Sequence, residues 1–213
     1  MNKVLENQFY YLDNFQLVLD WISERYHDLL TADEHAFITQ FSLLPQASRA
    51  LFVRMVMRKA YLFRASKLNY AEIGDTQEAA LPLLATGWVV ADPCLDLAQL
   101  FELLLKNEIT RVFQLTSAEK GLRKPEQLAL LQQRFSQVPD TRHFSSWYPD
   151  SGEQVYQVLN KELCERLRLI FFGNFHQDWS EFVLSDLGIY QYEKVKFSLA
   201  SRGFRSRQDI DDY

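Results

Sequence analysis

The run Leu51-Phe-Val-Arg-Met-Val-Met57 is apolar on nearly every side of a helix, and a helix with no polar face has to be wrapped by other elements. Its polar interruptions are Arg54 and, one turn on, Arg58, which share one side. Arginines in such a setting need counter-charges, and acidic residues of the first helices are expected to supply them. Glycine occurs only 7 times and proline 6 times in 213 residues, too few turn-formers for a sandwich or barrel. A hydrophobic share of 47% and an aromatic share of 14% supply a core for one large domain or two small ones. The fold class expected is therefore mainly α.

Phe15, Val18, Leu19, Trp21, Ile22 and Leu29 recur at helical spacing and predict a first helix over 10–30. Thr31 and Glu34 read as a capping box that opens a second helix, which ends at Leu44-Pro45. The third helix, over 48–63, carries the buried run. The alternation in 67–74 and the β-branched run 87–93 predict two short strands, with a helix over 76–84 between them. Asp96 and Gln99 form a second capping box, and Ile109, Val112 and Phe113 mark another helix. After a polar turn, Pro125 suits the first position of a helix over 126–135. The polar stretch 138–150 reads as a linker, followed by helices over 153–172, 179–187 and 190–200. Ser206 then caps a new helix, and since the sequence stops at Tyr213 the chain reads as the front of a larger protein.

Net charge is −5, yet 49–67 holds Arg49, Arg54, Arg58, Lys59, Arg64 and Lys67 with no acidic residue. Lys120, Arg123 and Lys124 form a second basic group, and Lys194, Lys196, Arg202, Arg205 and Arg207 a third. Local fields of this kind matter more to a polyanion than the total. Cys94 and Cys164 lie far apart with no zinc-type spacing, which suits isolated thiols in a reducing compartment. The amino terminus shows no apolar segment of signal-peptide length, and no apolar run is long enough to span a membrane. No phosphate-cradling glycine loop, nucleophile elbow or HExxH is present. A nuclease site of the PD-(D/E)xK type needs an acidic residue two before a lysine, and none of the lysines has one.

The stretch 107–135 combines a short apolar helix, a turn ending Lys120-Gly-Leu-Arg123-Lys124, and a helix with Leu128, Leu130 and Leu131. It resembles a SAP module, a fold that presents the amino end of its second helix to DNA phosphates. Free N–H groups and the helix dipole favour an anion there. The match implies phosphate contacts for Arg123 and Lys124, with Lys120 in support; a solvated basic turn would explain the same charges. Tyr10-Tyr-Leu-Asp-Asn-Phe15, Leu51-Phe-Val-Arg-Met-Val-Met-Arg-Lys59 and Leu62-Phe-Arg-Ala-Ser-Lys-Leu-Asn-Tyr70, followed by Glu72-Ile-Gly74, are similar to the amino-terminal region of the Fanconi-associated nuclease family, also called VRR-NUC nucleases. Ser185-Asp-Leu-Gly-Ile189 and Tyr192-Glu193 resemble its bacterial members.

That resemblance implies a structure-selective, metal-dependent DNA nuclease (5′ flap endonuclease and 5′–3′ exonuclease, phosphodiesterase I type). It would act in DNA repair, including interstrand cross-link repair, on branched or flap DNA in the bacterial cytoplasm, nucleoid-associated in use. The implied layout is a helical domain over 1–65, a SAP-like or winged module with two short strands over 66–140, and a helical linker with the start of a helical-repeat region over 141–213. The nuclease would follow, with Mg or Mn. No catalytic residue, metal or cofactor is thus expected in this segment, though a contact with its own nuclease domain is. The resemblance also carries Arg64, Lys67 and Tyr70 over as DNA contacts, unless they brace the SAP module against the first helices. A non-enzymatic helical scaffold for protein interactions is the competing reading.

Overall fold

The computed structural model describes residues 7–135, 141–179 and 202–213. In chain order the elements are α1 (Tyr10–Tyr26), α2 (Ala32–Leu43), α3 (Gln46–Val56), β1 (Leu62–Arg64), a 3-10 turn (Ala65–Lys67), α4 (Thr76–Ala85), β2 (Val89–Ala91) and β3 (Cys94–Leu95). They continue with α5 (Leu97–Leu103), α6 (Lys106–Val112), α7 (Ser117–Gly121), α8 (Lys124–Arg134), β4 (Arg142–His143) and α9 (Phe144–Trp147). A 3-10 turn (Pro149–Ser151), β5 (Val155–Val158), α10 (Lys161–Phe172) and α11 (Arg207–Asp211) complete the set. The fold is mainly helical, as composition indicates, with short strands among the helices. The helices expected over 179–187 and 190–200, with Lys194 and Lys196, lie outside the described residues.

The residues group into two compact units that are not contiguous blocks of sequence. The first unit takes 1–61, 70–88 and 158–213; the second takes 62–69 and 89–157.

In the first unit α3 is buried over most of its surface, with Leu51, Phe52 and Val53 fully enclosed. An aromatic cluster covers it: Trp88 lies with its ring centroid 4.5 Å from Phe37 and 5.3 Å from Phe52. Truncating a ring such as Phe52 would cost about 3–5 kcal/mol, because so enclosed a site cannot collapse. The arginines of α3 find different partners from those expected. Arg54 pairs with Glu72 (2.6 Å), beyond α3, while its guanidinium lies 3.9 Å from the ring centroid of Tyr11. The Tyr11 hydroxyl donates to the same Glu72 carboxylate at 3.1 Å. Arg58 is exposed, because α3 ends at Val56 rather than running on to 63, and its guanidinium stands 5.6 Å from the Tyr70 ring.

The capping box of α2 forms as its sequence predicts, with Glu34 accepting from the Thr31 amide at 2.9 Å. Glu34 has no exposed surface, and Arg166 of α10 (3.2 Å) and Arg207 of α11 (2.6 Å) also bind it. Burial pushes its carboxyl pKa up, but the Arg207 hydrogen bond and charge, the Thr31 amide and Arg166 outweigh burial, so the net direction is down. Ser206 caps α11 and accepts from the Asp209 amide at 3.2 Å. Lys161, at the start of α10, donates to the carbonyls of Arg58 (3.0 Å), Lys59 and Ala60 (3.1 Å). One ammonium thus satisfies three carbonyls of the segment that follows α3.

The second unit holds a sheet of order β1-β5-β2, with Leu62 opposite Gln157 and Arg64 opposite Val155 in an antiparallel pair. A second ladder joins β3 to β4. The strand expected over 87–93 appears as Val89–Ala91. Residues 67–74 instead form turns, in which the Tyr70 carbonyl accepts from the Ile73 and Gly74 amides (3.1 and 3.2 Å). Their alternation buries Leu68 and Ile73 without a ladder. Val155–Val158, expected as helix, is a strand; its β-branched and aromatic side chains are buried at Val155, Tyr156 and Val158. The supposed linker contributes core as well: Phe144 and Trp147 pack with Leu100, Phe101, Ile109 and Leu131. The Trp147 indole donates to the Leu95 carbonyl at 2.9 Å.

Replacing Glu34 with Gln removes the counter-charge of Arg166 and one of the two carboxylates of Arg207, which keeps Asp211 at 2.9 Å, and is expected to destabilise the protein by about 2 kcal/mol, since both arginines are partly hydrated. Because the folded-state pKa of Glu34 is depressed, its contribution is present above the ordinary value of 4.5 and is lost as pH falls through the lower folded value. Urea unfolding followed by circular dichroism should show the wild-type advantage over Glu34→Gln at pH 7 and its loss in acid.

Candidate nucleic-acid interface

The basic turn singled out in the sequence lies in the second unit, at the start of α8. Arg123 stands before the first turn with an extended backbone (φ −70°, ψ 155°). Arginine has no acceptor, so the cap is one-sided: the Glu126 carboxylate accepts from the Arg123 amide at 2.8 Å. The same carboxylate takes the Arg123 guanidinium at 2.9 and 2.5 Å. The Arg123 hydrogen bond leads the causes that hold the Glu126 carboxyl below its usual range. Pro125 has no N–H, and the amides of Glu126 and Gln127 bond to the Arg123 carbonyl (3.0 Å each). At most the Lys124 amide is left for an anion, so attraction here comes from side-chain charge and not from the row of free N–H groups that the sequence pattern suggests.

Arg123 remains 83% exposed despite its pairing, so its guanidinium can also meet a phosphate. The Lys124 ammonium donates to the Leu104 carbonyl at 2.8 Å, which fixes it against the end of α5. Lys120 is exposed on α7. Gln127 holds α7 and α8 together by donating to the Glu119 carbonyl at 3.0 Å, and Arg134 pairs with the Glu119 carboxylate. Lys106, which the sequence reading passed over, comes close enough that its charge helps to lower the Glu126 carboxyl. Nothing in the linear sequence signals that closeness.

The three residues carried over by resemblance are placed differently from one another. Arg64 pairs with Glu108 (2.8 Å) and Glu153 (2.9 Å), and only 16% of its side chain is exposed. Ser66 donates to Glu153 through its amide (3.1 Å) and its hydroxyl. Burial raises the Glu108 and Glu153 carboxyls, but their hydrogen bonds and the Arg64 charge bring both below the ordinary value. Lys67 is exposed on the 3-10 turn. Tyr70 belongs to the first unit; burial raises its hydroxyl, and the Arg54 guanidinium lies 5.1 Å from its ring.

Among the described residues no group of His, Cys, Asp and Glu side chains could hold a metal ion, and no helix is long and apolar enough to cross a membrane. Cys164 is buried and Cys94 exposed, both free.

Short helices with a long helix, α8, that opens on a basic turn define the class of the second unit: a helical module of the SAP type. Residues 9–90 match the model of the FAN1 HTH domain, and 94–147 match that of the Fanconi anemia-associated nuclease SAP domain. The chain belongs to the Fanconi-associated nuclease family. It is 56% identical over 209 residues to the Fanconi-associated nuclease 1 homolog of Pseudomonas aeruginosa, a match that covers 98% of this chain and 37% of that protein. It is 30% identical to the Arabidopsis thaliana homolog over 94% of the chain and 23% of that protein. The crystal structure of paFAN1 bound to 2nt 5′ flap DNA with gap superposes with a TM-score of 0.91 at 56% identity, over 99% of this chain and 38% of that one. The chain thus spans less than two-fifths of the length of these relatives.

Arg64→Met is expected to destabilise the protein by about 3 kcal/mol, since it leaves Glu108 and Glu153 half-buried without their cation. Denaturant titration measures the loss. The salt dependence of DNA binding should stay at the wild-type slope if Arg64 acts only as a brace.

Proposed function

We propose that this chain is the DNA-holding part of a structure-selective DNA nuclease that cleaves 5′ flaps and resects from 5′ ends, a phosphodiesterase I type activity in DNA repair. The observation that carries the reading is the 56% identity, over nearly the whole chain, to a protein crystallised on 5′ flap DNA. The SAP match over 94–147 and the exposed basic turn within it support the same reading. In this reading branched or flap DNA is the partner, and the setting is the bacterial cytoplasm, in association with the nucleoid. Cleavage and its Mg or Mn belong to the nuclease domain of the parent protein, which this part would contact.

Arg123, Lys124, Lys120 and Lys67 are the phosphate contacts in this proposal. Arg64 acts as a brace within its unit, because Glu108 and Glu153 hold its guanidinium, and Tyr70 within the other, because its half-buried ring lies 5.1 Å from the Arg54 guanidinium. Phosphate contacts position the duplex and carry no sequence preference. Replacing both Arg123 and Lys124 with Glu should weaken binding to all sequences alike, by about tenfold or more near 100 mM salt, and flatten the salt dependence by roughly 0.9 per lost contact. Fluorescence anisotropy with a labelled flap duplex across a salt series checks this; wild-type affinity in the double variant would overturn the assignment.

A further inference from the structure

Two aromatic side chains of the first unit stand in water with their rings together. Phe175, in the loop after α10, is 46% exposed, and Tyr213, after α11, is 56% exposed; their ring centroids lie 5.5 Å apart. Phe204, itself buried, lies 6.1 Å from the Tyr213 ring and joins the pair to the core. Single exposed apolar side chains are ordinary on a protein surface, but two in contact form a patch. Phenylalanine and tyrosine are enriched where one protein surface buries another.

Both rings are held in place by the backbone beneath them. Gly173, in the left-handed region (φ 72°), ends α10, and the Asn174 side-chain carbonyl accepts from the amides of His176 (2.8 Å) and Gln177 (3.3 Å). Arg168 donates to the Gln177 carbonyl, and its guanidinium lies 5.6 Å from the Phe175 ring. On the Tyr213 side, the Tyr26 hydroxyl accepts from the Gly203 amide at 3.1 Å, Arg202 pairs with Asp28 at 2.9 Å, and Ile210 is buried. With the Arg207–Glu34 pair these contacts fasten 202–213 to the first unit. The patch is therefore preformed, and an occupant meets no penalty for ordering it.

Charge selects among occupants. Asp209, Asp211 and Asp212 are all exposed in the segment that carries Tyr213, against one exposed cation, Arg205. Arg207 is already held by Glu34 and Asp211. Such a setting disfavours a polyanion. It suits a protein segment whose apolar face is edged by lysine or arginine.

We propose that the Phe175–Tyr213 patch is the seat of the polypeptide that follows Tyr213 in the longer parent protein, a segment that lays an apolar face on the two rings and basic residues beside the aspartates. The relatives supply the length for such a segment, since this chain matches 37% of the Pseudomonas aeruginosa protein and 38% of the paFAN1 chain. A segment joined to α11 starts beside the patch, so its docking is intramolecular and needs little affinity of its own. This rests on the reading of the chain as one part of that parent, and it does not depend on DNA binding by the second unit.

Hydroxyl-radical footprinting with mass spectrometry, on the parent and on this chain at the same low concentration, tests the seat. Phe175 is the reporter because, unlike Tyr213, it is remote in sequence from the join. Its oxidation should be several-fold slower in the parent; equal rates would overturn the proposal. Slower oxidation in this chain alone as its concentration rises, with a dimer in sedimentation velocity, would put a second copy in the seat and overturn it too. Phe175→Ser separates docking from folding. In this chain it should leave the urea unfolding midpoint at the wild-type value, because the ring is half in water; a lowered midpoint would make Phe175 part of the fold and sink its role as a seat. In the parent it should speed tryptic cleavage just beyond Tyr213 by about five- to tenfold, as the open form becomes more populated. An unchanged cleavage rate would overturn the proposal. Flap-DNA affinity of the Arg123→Glu, Lys124→Glu variant reads the DNA-holding assignment separately, so either reading can fail while the other stands.

Discussion

A carboxylate removed from water has to be met by a cation, and each compact unit of this chain is closed by such a meeting. In the first unit Glu34 has no exposed surface, and two arginines from separate late helices, Arg166 and Arg207, reach it. The residue that caps α2 therefore also ties α10 and α11 to it. In the second unit the roles are reversed: a single arginine, Arg64, is held by Glu108 and Glu153. Arg64 and Glu153 are 89 residues apart in sequence, and the strand pairing of β1 with β5 is what brings them together. Removing one partner of such a group leaves an uncompensated charge with little water to receive it, which is why these sites weigh more than the surface pairs around them.

The same logic sorts the basic residues. Charge alone does not distinguish Arg54, Arg64, Arg123 and Lys124 as partners of a polyanion. Packing separates them: Arg54 lies over Tyr11 and against Glu72, and Arg64 between two carboxylates, while Arg123 keeps most of its side chain in water. A cation whose field is cancelled at short range contributes little at the distance of an approaching phosphate. The proposed nucleic-acid face therefore rests on cations that stay exposed, with Arg123 still in water although Glu126 pairs with it, a narrower set than the basic runs suggest.

Much of the helical framework was legible in the linear text. Thr31 with Glu34, Asp96 with Gln99 and Ser206 with Asp209 announce helix starts, and each is realised as a cap with the expected hydrogen bonds. The strands were less legible. Residues 67–74 alternate as a strand does, yet form turns, because the available ladder partner, β5, is already engaged by Leu62–Arg64. The polar stretch taken for a linker hides Phe144 and Trp147, two large side chains that anchor the core of the second unit. At the candidate site the cations of the α8 turn were readable, whereas the hold of the Leu104 carbonyl on Lys124 was not, since it follows from the packing of α5 against α8.

What the sequence by itself determined is what depends on neighbours a few residues apart: helix periodicity, caps, the turn at Pro125 and the family to which these motifs belong. Those features are set by local hydrogen bonds and side-chain spacing, which the order of residues specifies directly. The tertiary structure decided the division into interleaved units, the partner of each buried charge and the availability of each cation to a ligand. Such outcomes depend on which distant segments share one water-excluded space, and an ion pair such as Arg64 with Glu153 has no local signature because neither residue needs the other until both are buried.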